Sequence, residues 1–156
     1  MVRNKDIVVK DESFPSITDE LLSTFIRHYK EAESKRNKKI KPNFDVERIK
    51  HLLSVGQMKA FIARDSKHNI IGYSFMLVTD SDLFTGTPSA SNVALYVVKK
   101  HRKNGVMEKI IRFQDDILKK MNIYTIFSTL KKHHGKKKME KLGYEFVERT
   151  FQKVLI

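Results

Sequence analysis

Residues 94–111, ALYVVKKHRKNGVMEKII, constrain the fold of this chain more than any other stretch. An apolar run (Ala94, Leu95, Tyr96, Val97, Val98) breaks into a short basic segment with one glycine. An amphipathic helical pattern follows at once. A strand that feeds a glycine-containing turn into a helix brings backbone N–H groups and the positive end of a helix dipole to one point. Lys99, Lys100, Arg102 and Lys103 add cations around that point. The pattern predicts a phosphate-binding site, and the pyrophosphate of a nucleotide-like cofactor as its ligand.

The flanking sequence supplies the layers for such a turn. Ile7–Lys10 reads as a first strand, broken by Phe14-Pro15-Ser16. Thr18 is a good helix N-cap, and Asp19 and Glu20 suit the first turn. Leu21, Leu22, Phe25, Ile26 and Tyr29 recur at helical spacing, which predicts a helix to about Ser34. Asp45 opens a second helix with Val46, Ile49, Leu52 and Leu53 on one face, ending near Gly56. Met58–Arg64 and Ile70–Thr79 read as a hairpin around the turn formers of residues 65–69. Asp80–Ser91 reads as a loop and Asn92–Val98 as a third strand. A helix is expected from Lys103 to about Met121, a strand over Ile123–Thr129, a short helix over Gly135–Leu142 stopped by Gly143, and a last strand over Tyr144–Leu155. An antiparallel hairpin followed by a strand–helix–strand unit predicts a single α/β (α+β) domain over residues 1–156. Its mixed, mostly antiparallel central sheet is flanked by helices.

Composition narrows the chemistry. The 156 residues suit one domain with a real core. The absence of cysteine excludes disulfides, thiolate metal sites and a cysteine nucleophile. The N-terminal residues carry charges without an apolar core, so no secretory signal is expected, and no apolar stretch approaches a membrane span. The expectation is a cytoplasmic protein with no membrane partner. A formal charge of +13 favours anionic partners, whether nucleic acid, a phosphorylated cofactor or an acidic protein surface. Two dense basic runs, 35–41 and 131–138, contain no aromatic residue except the pair His133–His134, which weakens a base-stacking reading. Adjacent histidines lack the spacing that puts two ligands on one helix face, and no metal site is expected.

The element order, with two motifs, resembles the GCN5-related N-acetyltransferase superfamily. The acyl-CoA signature of that family is a strand ending Leu-x-Val, a short loop, then Arg/Gln-x-x-Gly-x-Gly/Ala and a helix. Here Leu95, Tyr96 and Val97 end the strand, and Arg102, Lys103, Asn104, Gly105, Val106 and Met107 carry the signature. The family's C-terminal Tyr-Glu-Lys-Leu-Gly-Phe reads Met139, Glu140, Lys141, Leu142, Gly143 and Tyr144. The compact, basic chain with divergent motifs is also similar to the small acetyltransferase-like proteins of bacteriophages.

The resemblance implies acetyl-CoA as cosubstrate, bound across a splay between the strands ending at Val98 and Thr129. Backbone N–H groups of Lys103–Met107 would hold the pyrophosphate, Gly105 would let the chain approach it, and Arg102 and Lys103 would add charge. The strand edge at Val97 would pair with the pantetheine amides, with the N–H of Tyr96 or Val97 polarising the thioester carbonyl. Met107 replaces a small residue, and is expected either to crowd the pyrophosphate or to point into the core. Met139 stands where the family often has the tyrosine that protonates the departing thiolate, and a thioether donates no proton. Tyr124 or Tyr144 would substitute in that role, with packing as their other reading. The positions that often carry a glutamate base are Ser91, Asn92, Val93 and Ala94 here, so Asp80 and Asp82 are the nearest carboxylates, with turn formation as their other reading.

Three functions remain open at this level. One is an acetyl-CoA-dependent N-acetyltransferase acting by direct attack of an amine, with the acceptor on an acidic protein or a nucleic acid. The second is an inactive binding or virion-associated protein of the same fold. The third is a nucleic-acid-binding or -modifying protein. The oligomeric state is not legible.

Overall fold

A computed structural model of the chain describes residues 6–13, 18–33, 41–83, 85–129 and 135–147. Five strands form one sheet in the order β1 (Val8–Asp11), β2 (Met58–Arg64), β3 (Ile70–Thr79), β4 (Ser89–Val97), β5 (Thr125–Phe127). The first three pairings are antiparallel and β4–β5 is parallel. This is the mixed, mostly antiparallel sheet that the sequence predicts.

The first two helices begin where a side chain satisfies a free N–H group. Thr18 Oγ1 accepts from Leu21 N at 3.2 Å to start α1 (Asp19–His28). Asp45 Oδ1 accepts from Arg48 N at 3.0 Å to start α2 (Val46–Ser54). The first helix was expected to run on to Ser34. Instead its α-helical part stops at His28 and widens into one π-helical turn, Tyr29–Glu33.

The alternation of the strands divides the core in two. On one face, Tyr73, Phe75, Tyr96 and Val98 pack with Leu21 and Phe25 of α1 and Leu53 of α2. On the other, Phe61, Ile71, Met76, Ala90 and Val97 pack with Val106, Ile110 and Leu118 of α3 (Val106–Lys120). The sheet is therefore covered on both sides, and Leu95 and Tyr96 face opposite layers.

Other boundaries also differ from the expectation. β4 starts at Ser89, because Ser89–Ser91 pair with both β3 and β5. The third helix starts at Val106 and not Lys103: residues 99–101 close a 3-10 turn and Gly105 turns at φ +70° before the helix begins. β5 is confined to Thr125–Phe127. Tyr144–Val147, after α4 (Lys136–Lys141), carries no strand, and residues 148–155 of the expected last strand lie outside the described residues. The break at Phe14-Pro15-Ser16, most of the 35–41 run and His133–His134 also lie outside them. Among the described residues no helix is long and apolar enough to cross a membrane.

Candidate active site

The parallel strands β4 and β5 part within a few residues. Their register runs only from Ser89↔Thr125 to Ser91↔Phe127. The next contact is made by a side chain: Asn92 Oδ1 accepts from Thr129 N at 2.5 Å, and Asn92 Nδ2 donates to Thr129 O at 3.4 Å. On the other edge of β4, Phe75 pairs with Ala94 and Met76 with Asn92. Val93 is thus an extra residue, a β-bulge that bends the strand, and it is 60% exposed.

Past the bulge, β4 presents an edge that no strand among the described residues pairs with. Val98 N donates to Ile71 O at 2.9 Å. Bonded positions alternate along an antiparallel ladder, so Tyr96 and Ala94 also turn their amide groups to β3. Leu95 and Val97 turn theirs the opposite way, toward the gap left by β5. Of the two N–H groups expected to face a thioester, that of Val97 turns toward the gap and that of Tyr96 is committed to β3.

The end of this edge is the basic turn. Gly105 adopts the left-handed φ of +70° that a Cβ disfavours, which lets the chain reverse directly into α3. The first N–H groups of a helix have no intrahelical partner, so those at the start of α3 point back at the turn. Asn104 N is already given to His101 O at 3.1 Å, which removes one expected donor. Lys99, Lys100 and Lys103 are exposed around the turn. Met107 packs against the core under α3, so its side chain does not crowd the turn. Val106 is fully buried and Val98 nearly so, which anchors the turn at both ends. Glu108, in the first turn of α3, bonds Lys138 of α4 at 2.8 Å and is held below the usual carboxylate range by that lysine against the opposing effect of burial.

A polar cluster lies beside this edge, on the α1 face. Its members come from far apart in the sequence. Glu31, in the π-turn, accepts from Tyr96 Oη at 3.0 Å and pairs with the Arg102 guanidinium. Arg102 Nε donates to Val97 O at 2.9 Å, and its guanidinium lies 5.6 Å from the Tyr96 ring centroid. The His28 ring stacks on Tyr96 at 4.7 Å, and its Nδ1 is 2.7 Å from Tyr73 Oη. Burial, with the neighbouring carboxylate of Glu31, pushes the Tyr96 phenol up to about 12, and burial raises Tyr73 further. Both phenols are therefore neutral donors at physiological pH. Sequence reading missed Glu31, His28 and Tyr73. The one signal available was a carboxylate and a histidine on one helical stretch, three residues apart.

The expected acid–base residues lie elsewhere. Asp82 closes a local turn, accepting from Thr85 N at 3.0 Å on its side chain while its backbone pairs with Thr87. Asp80 is exposed in the same loop. Tyr124 is 79% exposed, and its N bonds Pro88 O at 2.8 Å. All three flank the Ser89 end of β4, whereas the basic turn follows Val97. Eight steps of roughly 3.4 Å separate those ends, about 27 Å. The structure does not bring Asp80, Asp82 or Tyr124 to the basic turn. Met139 is buried in the core, and Tyr144 donates to Asp115 Oδ1 at 2.7 Å on the α3 side of the sheet. Among the described residues no group of three His, Asp or Glu side chains is arranged to hold a metal ion.

No protein-family model matches the sequence, and no curated protein matches it significantly. Solved structures match over almost the whole chain. An acetyltransferase of Trypanosoma brucei is 15% identical, with 96% of this chain and 100% of that one covered and a TM-score of 0.73. A ribosomal-protein-alanine N-acetyltransferase of Brucella melitensis is 14% identical over 96% and 97% of the two chains, with a TM-score of 0.71. Glucosamine-6-phosphate N-acetyltransferase of Arabidopsis thaliana is 13% identical over 96% and 99%, with a TM-score of 0.69. The chain has the fold of the GCN5-related N-acetyltransferases.

Proposed function

We propose that this protein is an acetyl-CoA-dependent N-acetyltransferase. The observation that carries the reading is the parting of β4 and β5 at Val93, whose open edge leads straight into the Gly105 turn and the start of α3. An extended amide chain that ends in a pyrophosphate fits that arrangement: a strand-like edge for the pantetheine, then helix amides and cations for the phosphates. The likeness of fold to solved acetyltransferases supports the same reading.

In this reading the Val97 N–H, next to the turn, binds the pantetheine arm. The Leu95 N–H, nearer the parting of the strands, stabilises the oxyanion that forms as an acceptor amine attacks the thioester carbonyl. A C–N bond forms, the C–S bond breaks, and the displaced proton on nitrogen passes to water or to the departing thiolate. Lys103, Val106 and Met107 supply backbone donors for the pyrophosphate, with Lys99 and Lys100 as outer cations. Asp80, Asp82 and Tyr124 lie at the end of β4 opposite the phosphate-binding turn. With 31 Lys and Arg against 18 Asp and Glu, the acceptor is best sought on an acidic protein or a nucleic acid.

A second reading, cofactor binding without transfer, is favoured by one observation. Met139 fills the position of the family's proton-donating tyrosine with a buried thioether. Titration calorimetry with acetyl-CoA separates the readings from their alternatives when paired with Gly105→Glu. Binding by the natural chain that the variant loses supports a coenzyme A site. Absence of binding at near-millimolar cofactor excludes both readings. Bound acetyl-CoA that is never consumed across amine acceptors leaves the second.

A further inference from the structure

Arg102 occupies two groups that the proposed reaction uses otherwise. Its Nε bonds the carbonyl of Val97, on the edge assigned to the pantetheine. Its guanidinium pairs with Glu31, on the α1 face of the sheet. Yet Arg102 stands only three residues before Gly105, where the pyrophosphate is expected.

The two ion-pair partners are unequal. The Arg102–Glu31 pair is half exposed, with side-chain exposures of 47% and 29%, and exposed pairs of this kind are weak. A pyrophosphate carries more charge and matches the fork of a guanidinium bidentately. Its arrival draws Arg102 toward the turn. Glu31 then keeps the Tyr96 hydroxyl on one oxygen and loses the cation on the other. A partly buried carboxylate stripped of its counter-charge is unfavourable unless another cation replaces it. An N-acetyltransferase reaction supplies such a cation, the ammonium of its acceptor.

We propose that Glu31 is the residue that receives the acceptor's ammonium, and that Arg102 holds that place until a pyrophosphate takes the guanidinium away. The inference rests on the acetyl-CoA reading. It gives Glu31 a positioning role and makes cofactor and amine binding mutually favourable, since each relieves the cost left by the other.

Coenzyme A affinity, measured by calorimetry on the natural chain, Glu31→Gln, Arg102→Ala and the double variant, tests the exchange. Glu31→Gln keeps an acceptor for Tyr96 Oη but releases Arg102, so coenzyme A binds about two- to fivefold tighter, the scale of an exposed ion pair. Arg102→Ala binds more weakly, and adding Glu31→Gln to it changes nothing. With coenzyme A saturating, n-butylamine shifts the Tyr96 amide resonance of the natural chain and not that of Glu31→Gln. Unchanged or weaker coenzyme A binding by Glu31→Gln overturns the exchange, as does an equal gain in the Arg102→Ala background. Equal n-butylamine shifts with and without Glu31 overturn its role toward the amine. Failure of every variant, and of the natural chain, to bind coenzyme A removes the underlying reading instead.

Discussion

Asn92 reaches across from β4 to both backbone groups of Thr129, where the two strands cease to pair through their main chains. This bridge sits one residue before the Val93 bulge. It fixes the apex of the gap while leaving the rest of the β4 edge open.

Asn92→Ala removes both bonds, each worth about 0.5–1.5 kcal/mol in net stability. Urea unfolding is expected to show a loss of about 1–2 kcal/mol, with a smaller loss for Asn92→Asp, which still accepts from Thr129 N. Equal stability of Asn92→Ala and the natural chain would show that the bridge does not hold the strands.

Gly72 in β3 is a packing requirement and not a conformational one. A Cβ there meets the backbone oxygen of Tyr96 at 2.9 Å, Ile110 Cδ1 at 3.1 Å and Val106 Cγ1 at 3.3 Å. The backbone oxygen cannot step aside, so Gly72→Ala pushes β4 or α3 outward. A destabilisation of about 1–3 kcal/mol follows, read as a lower thermal midpoint. An unchanged midpoint contradicts the packing described for the two strands and α3.

His101 closes the 3-10 turn with its ring buried, and neither ring nitrogen has a hydrogen-bond partner among the described residues. Burial, with Lys100 beside it, lowers its pKa below the usual histidine value. The unfolded chain then binds more protons than the folded one as pH falls through about 6.5, so folding stability drops there. His101→Leu removes two unsatisfied polar atoms and that proton linkage. It is expected to be at least as stable at pH 7 and to lose less stability between pH 7 and 5.5. A variant as pH-sensitive as the natural chain refutes the assignment.

Asp115 behaves in the opposite sense. Burial raises its carboxyl above the usual range, although the Tyr144 hydroxyl and Gln114 act against it. Between about 3.9 and the raised value the folded state holds more protons, so stability falls as pH rises through that window. At pH 7 the charged Asp115 therefore costs stability. Asp115→Asn still accepts from Tyr144, is expected to be more stable at pH 7, and converges on the natural chain toward pH 4. A less stable variant at pH 7 would mean that the charge itself is favourable there.

What the sequence made legible is what neighbours along the chain decide. The caps Thr18 and Asp45 rest on bonds spanning three residues, and the 58–79 hairpin and the glycine between strand and helix each rest on one continuous segment of chain. The Val93 bulge has no local mark, because it arises from the register of β3 against β4. Glu31 meets Tyr96 and Arg102 across 65 and 71 residues of chain, a pairing that spacing cannot reveal. Asp80 and Asp82 are the nearest carboxylates in sequence. Their loop belongs to the far end of β4, and Asp82 does what a turn aspartate ordinarily does.

The central claim is that the β4 edge beyond Val93 and the start of α3 bind one cofactor. Amide hydrogen exchange measured with and without coenzyme A tests it residue by residue. The account predicts slower exchange at Leu95 and Val97 and at Val106 and Met107, with little change at Ala94 and Tyr96, which already bond β3. Saturating coenzyme A that leaves Leu95 and Val97 unprotected, or that protects only residues away from β4 and α3, would contradict it.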